Sequence, residues 1–148
     1  MVPKNKGIYT IILELRKDSI LKIGKLGNIN FLKGYYAYTG SARGSGGFKR
    51  VKRHLDVSSS KRISIFKWHI DYLLHETKVI GVILTPTHLN LECTIANNII
   101  RNAQEIKNFG CSDCSCSSHL AWKKDLEILD IAIQAHKKYN NWIYWKFA

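Results

Sequence analysis

Between Asp18 and Asp56 the 148-residue chain carries no acidic side chain, although Lys22, Lys25, Lys33, Arg43, Lys49, Arg50, Lys52 and Arg53 all fall in that interval. Acidic residues are scarce throughout, 11 against 23 Lys and Arg, giving a formal net charge of +12. Solubility does not require such an imbalance. It points to a polyanionic partner, nucleic acid ahead of a membrane surface. Long apolar runs are missing too: none approaches the roughly 20 residues a spanning helix needs. The opening "MVPKNKGIYTIILEL" lacks the long apolar core and small-residue cleavage site of a signal peptide, so the expectation is a cytoplasmic protein with no membrane partner. Repeats, long linkers and low-complexity tracts are also absent, and the length fits one domain over 1–148.

What is present argues for a packed globule. The hydrophobic fraction is 45%, with four Trp, seven Tyr and five Phe. "IYTIILEL", "SILKIGKL" and "GYYAYTG" read as three strands with hairpin-like connections. "GGFKRVKRHL" turns helical, with Phe48, Val51 and Leu55 on one face and Arg50 and His54 one turn apart on an adjacent face. "FKWHIDYLLHE" reads as a second helix, "KVIGVILT" as a fourth strand, "LECTIANNIIRNAQEI" as a third helix and "NFGCSDCSCSSHL" as a loop. A last helix, "DLEILDIAIQAHKKY", precedes a closing strand in "NWIYWKFA", whose Trp142 and Trp145 read as core. The fold class is α+β, a small antiparallel or mixed sheet flanked by helices.

The glycine-rich "GSARGSGG" invites a phosphate-loop reading, but it lacks the Gly-Lys-Ser/Thr ending and the dinucleotide spacing. It reads instead as a tight strand-to-helix turn that places Tyr38 near the helix face of Arg50 and His54. Phenols beside guanidinium groups suit a phosphodiester, since a phenol can act on water and a guanidinium can hold phosphate and neutralise developing charge.

These residues carry a resemblance. "GIY" at Gly7, Ile8 and Tyr9, "YTG" at Tyr38, Thr39 and Gly40, and Arg-x-x-x-His at Arg50 and His54 resemble the GIY-YIG endonuclease superfamily. The ordered set "GIY … GYYAYTGSA … RVKRH … WHIDYLL … LEC … FGCSDCSCSSHL", residues 7–122, is similar to a compact, largely archaeal branch of it, described as a domain of unknown function. Members of that branch are sometimes fused to endonuclease III-like glycosylases. The remaining helix and strand occupy 123–148. Thr39 departs from the branched apolar residue usual at that place.

The resemblance implies a divalent-metal-dependent endonuclease. Tyr9 would be, or help form, the general base; Tyr38 is the second-motif tyrosine; Arg50 contacts the scissile phosphate; and His54 could relay a proton. Glu92 would hold one Mg²⁺ or Mn²⁺. The surrounding cations are expected to acidify Tyr9. A further metal-proximal asparagine of many relatives has Asn97, Asn98, Ser118 or His119 as possible occupants here. DNA is the expected partner, contacted also by Lys33, Arg43, Lys49, Lys52 and Arg53, with a repair glycosylase a possible protein partner and repair or recombination a possible setting.

Two further clusters stand out. His69 and Asp71 could form a polar pair supporting the site. Cys111, Cys114, Cys116 and His119 lie within nine positions, with Cys93 a fifth soft ligand beside Glu92. They suggest either a structural Zn²⁺ or a disulfide from Cys93 to this loop. A non-cleaving nucleic-acid-binding module and an adaptor built around a zinc loop remain as other readings.

Overall fold

In a computed structural model, which describes residues 5–59, 66–110 and 116–147, the chain forms a mixed α+β domain. Its elements are β1 (Gly7–Leu15), β2 (Ser19–Lys22), β3 (Asn28–Phe31), β4 (Gly34–Ala42), α1 (Lys49–Ser58), α2 (His69–Leu74), β5 (Lys78–Pro86), α3 (Glu92–Ile100), β6 (Gln104–Glu105), β7 (Leu120–Lys123), α4 (Glu127–Lys137) and β8 (Ile143–Lys146). Six strands make one sheet in the order β6-β7-β4-β1-β5-β8, and β2 pairs with β3 separately. Every pairing among the described residues is antiparallel.

The β-branched "GIYTIILEL" forms the central strand because both of its faces are covered. Side chains alternate across a sheet with period two. Tyr9, Ile11 and Leu13 therefore join the core beneath α1, α2 and the β2–β3 hairpin, together with Tyr36, Tyr38, Val82 and Leu84. Ile8 and Ile12 join Ile83, Ile95, Ile99, Ile128 and Ala132 in a second core beneath α3 and α4. The sheet is thus the middle of three layers.

The expected single strand over 19–26 is a short hairpin instead. Gly24 and Gly27 adopt positive φ and close a 3-10 turn between β2 and β3. The third helix stops at Ile100, and the small-residue loop ends in β7, which pairs Leu120 with Tyr38. Trp142 packs against the second core as expected, but Trp145 is 53% exposed. β8 lies at the sheet edge, and its alternation turns Ile143 and Trp145 outward with Phe147 beyond them.

Candidate active site

Tyr9, Tyr38, Gly40, Ser41, Arg50 and Glu92 line one concavity of about 320 Å³, together with Lys67, Trp68, His69 and Gly110. Register explains how the first two motifs meet. Tyr9 on β1 lies opposite Gly40 on β4, and Tyr38 lies opposite Ile11, so both phenols point to the same face. Their ring centroids are 6.4 Å apart. A Cβ at position 40 would collide with the ring and hydroxyl of Tyr9. Glycine is therefore needed there for close approach rather than for a special backbone angle.

The turn into α1 depends on another glycine. Gly47 has φ +56 and packs against the Asn5 carbonyl, which accepts a bond from the Phe48 N–H at 2.7 Å. This pins the helix start, and one turn of α1 then presents two unlike side chains. Arg50 is exposed and donates from Nη1 to the Ser41 carbonyl at 2.9 Å, with its guanidinium 4.9 Å from the Trp68 ring. His54, expected on the same face as Arg50, is instead fully buried with Val51 and Val57, and its Nε2 lies 2.9 Å from the Tyr9 hydroxyl.

Electrostatics correct the expectation that cations acidify Tyr9. Burial is the largest influence and raises its pKa well above the ordinary tyrosine value; Tyr38 and Glu92 push the same way, and Arg50 and Arg53 only partly oppose them. Tyr9 is thus a neutral phenol at neutral pH. His54 is pushed down to about 3, by burial first and by Arg53 and Arg50 next, with Asp71 opposing. A neutral imidazole of that kind is a poor proton acceptor at neutral pH, so His54 acts as a hydrogen-bonding support for Tyr9.

The expected DNA-contacting cations do not form one group. Arg53 makes a bidentate pair with Asp71 at 2.9 and 3.0 Å and stacks 4.3 Å from the Trp68 ring. Lys49 and Lys52 line a different groove, floored by Val51, Leu55 and Leu84, and Lys52 also pairs with Asp56. Arg43 donates to the His88 carbonyl at 3.1 Å, while Lys33 precedes β4 at the end away from Gly40. Lys67, which the sequence did not single out, lines the concavity itself.

His69 and Asp71 each take a partner other than the other. Asp71 is buried and accepts from Arg53 and from the Lys67 and Trp68 amides. Burial would raise its pKa, but these hydrogen bonds outweigh it and hold the carboxyl below its usual value. His69 accepts the Gly110 N–H on Nδ1 at 2.9 Å. Its neutral ring therefore carries the proton on Nε2, a donor on a residue that lines the concavity.

Glu92 opens the first turn of α3, with its Oε2 3.7 Å from His119 Nδ1. Of the four candidate partners, His119 lies beside it. The Ser118 hydroxyl instead donates to the Ile106 carbonyl and accepts from the Leu120 N–H, and Asn98 accepts from Arg101 on the outer side of α3. Cys93 and Cys116 form a disulfide next to His119, whereas Cys111 and Cys114 lie outside the described residues.

On the opposite face is a buried polar chain that sequence reasoning missed. Thr39 and Thr10 join hydroxyls at 2.9 Å, Thr10 reaches His136 Nε2 at 2.7 Å, and His136 Nδ1 reaches Thr85 at 2.8 Å. This gives Thr39 a partner and accounts for a hydroxyl in the middle of "YTG". The only signal for it was alternation, which turns Thr39 away from the face of Tyr38.

Among the described residues no helix is long and apolar enough to cross a membrane. A family described as "Domain of unknown function DUF123" matches residues 8–141. No curated protein and no solved structure matches the chain.

Proposed function

We propose that this chain, which belongs to the family described as domain of unknown function DUF123, is a GIY-YIG-type endonuclease hydrolysing phosphodiester bonds in DNA with one divalent cation. The observation that carries this reading is the convergence of Tyr9, Tyr38, Arg50 and Glu92 on one concavity from four different elements. The basic excess over residues 19–55 supports a polyanionic substrate.

The residues divide the work as follows. Arg50 binds the phosphate; its guanidinium has five N–H donors, and its bond to the Ser41 carbonyl uses one of them. Lys67 adds charge beside it and His69 can donate from Nε2 to a phosphate oxygen. The Tyr9 hydroxyl, held by His54, orients the attacking water for displacement of the 3′ oxygen, with Tyr38 alongside. A part-exposed carboxylate suits a hard, well-hydrated ion, so Glu92 would hold Mg²⁺ or Mn²⁺. Such an ion supplies positive charge against the phosphate and the leaving oxygen.

The raised pKa of Tyr9 and the engagement of Arg53 by Asp71 favour a second reading, a module that binds nucleic acid without cutting it. One experiment separates the two. Labelled duplex, nicked, flap and branched DNA, with matched RNA, is incubated with Mg²⁺ or Mn²⁺ and either the native chain or Glu92→Ala. Cutting of DNA that disappears in the variant while binding survives supports the nuclease. Salt-sensitive binding without cutting by either protein selects the second reading.

A further inference from the structure

Glu92 is followed in α3 by Cys93, and that neighbour belongs to a different kind of site. Cys116 and His119 come to it from the segment before β7. The backbone there is firmly placed: the Thr39 N–H donates to the His119 carbonyl at 2.9 Å, and the His119 N–H donates to Phe109 at 2.9 Å. The His119 side chain is 2% exposed. Its Nε2 lies 3.0 Å from Cys116 Sγ and 3.8 Å from Cys93 Sγ. The three potential ligand atoms fall within 4.8 Å of one another.

Two sulfurs and an imidazole make a soft donor set, unlike the single carboxylate next door. Thiolate and imidazole together suit Zn²⁺, whereas Mg²⁺ takes oxygen. Tetrahedral zinc, with Zn–S of about 2.3 Å and Zn–N of about 2.0 Å, separates its sulfurs by about 3.8 Å and each sulfur from the nitrogen by about 3.5 Å. The two observed nitrogen-to-sulfur distances bracket the second value. The Cα atoms of Cys93 and Cys116 are 5.6 Å apart, close enough for side-chain rotation to set the sulfurs at the first. The other nitrogen of His119 faces Glu92 at 3.7 Å. A zinc-bound histidine characteristically turns its second nitrogen to a carboxylate, which fixes the ring and raises its basicity.

We propose that in the reduced chain Cys93, Cys116 and His119 bind one Zn²⁺, with Glu92 as the residue that positions His119 and a ligand outside this set in the fourth place. The zinc site and the Cys93–Cys116 disulfide are alternative states of the same atoms. A dithiol connects them: it gives up two electrons and two protons, the Sγ–Sγ bond breaks, two thiols form and the dithiol leaves as its own disulfide. Zinc then displaces both thiol protons to solvent. The proposal does not depend on nuclease activity, because metal binding is what is read.

The test uses Co²⁺ as a spectroscopic stand-in for Zn²⁺. The full chain is reduced with a dithiol, desalted without oxygen and titrated. The expected result is one Co²⁺ per chain, with thiolate-to-metal charge transfer and tetrahedral d–d bands that Zn²⁺ abolishes. The air-oxidised chain should show neither. Cys93→Ser, Cys116→Ser and His119→Gln should each weaken binding at least tenfold, Glu92→Gln by about tenfold, and the double variant Cys111→Ser/Cys114→Ser should retain it. X-ray absorption on the zinc-loaded native chain covers the case in which a variant misfolds, and should count two sulfurs and at least one nitrogen. Absence of charge transfer in the reduced native chain overturns the proposal. So does binding that survives Cys93→Ser and Cys116→Ser but is lost in the double variant, which would give the metal to the other two cysteines.

Discussion

The hydroxyl of Tyr9 and Nε2 of His54 lie 2.9 Å apart, both buried, although 45 residues separate them in the chain. The other ring nitrogen of His54 has no hydrogen-bond partner among the described residues. An unpaired buried N–H is costlier than a bare acceptor, so the proton belongs on Nε2, which donates to the Tyr9 oxygen. The phenolic proton of Tyr9 is then turned to other partners, and any negative charge developing on its oxygen already has a donor aimed at it.

Tyr9→Phe removes that oxygen while keeping the ring over Gly40. Cleavage should fall by about a hundredfold or more, as for loss of a group that positions the attacking water. Stability should fall by about 1–3 kcal/mol, because Nε2 of His54 loses its partner. DNA binding should change little. Turnover, thermal unfolding and a binding titration on one preparation check all three, and unchanged turnover would remove Tyr9 from the chemistry.

Gly40→Ala places a methyl where the Tyr9 ring lies. The ring is fully buried and cannot swing into solvent, so the strands must part or the phenol must tilt. A loss of about 1–3 kcal/mol is expected from overpacking, with cleavage lost more completely than binding. Urea unfolding measures the first effect. Gly44→Ala is the control, since a Cβ there meets open space.

His54 and His136 are both held neutral, each pushed down to about 3, chiefly by burial. In the unfolded chain each titrates at about 6.5, so between that pH and about 3 the unfolded state binds more protons than the native one. The stability contributed by these two rings is therefore complete above about pH 6.5 and is lost as pH falls towards 3, at about 1.4 kcal/mol per pH unit for each histidine. Urea midpoints between pH 7 and 4 should show this slope, and His136→Gln should reduce it by about half. A flat profile would mean that neither ring is kept neutral by the fold.

Asp71→Asn leaves the Arg53 guanidinium, 19% exposed, without its carboxylate. Breaking one side of such a pair costs about 3–5 kcal/mol, well above the effect of an exposed ion pair. Lys52→Ala, which ends an exposed pair with Asp56, should cost under about 1 kcal/mol. Comparing the two by urea denaturation separates a buried charge pair from a surface one.

Much of the candidate site could be read from the sequence because its residues sit inside short recognisable motifs. Tyr9, Tyr38, Arg50 and Glu92 each occupy a recognisable place in a motif; β1–β4 register sets the two phenols on one face, and α1 and α3 bring the other two to it. What escaped notice depends on contacts remote in sequence. His136 meets Thr10 across 126 positions, and nothing near either residue announces the other. Arg53 looks like one more surface cation until α2 brings Asp71 beneath it. The 19–26 stretch alternates as one strand would, and only the positive φ at Gly24 and Gly27 reveals the turn. Trp145 misleads for a related reason: its apolar character suggests core, but on β8 the alternation turns it outward.

β1 is hydrogen-bonded to β4 over its whole length and to β5 over nearly all of it. The peptide amides around Tyr9 can therefore exchange with deuterated solvent only when the whole sheet opens. Arg50 stands on the first turn of a ten-residue helix beside a glycine-rich turn, where opening needs far less. The phenol and the guanidinium that line one concavity thus belong to parts of the molecule with different lifetimes, and the slower clock is the phenol's.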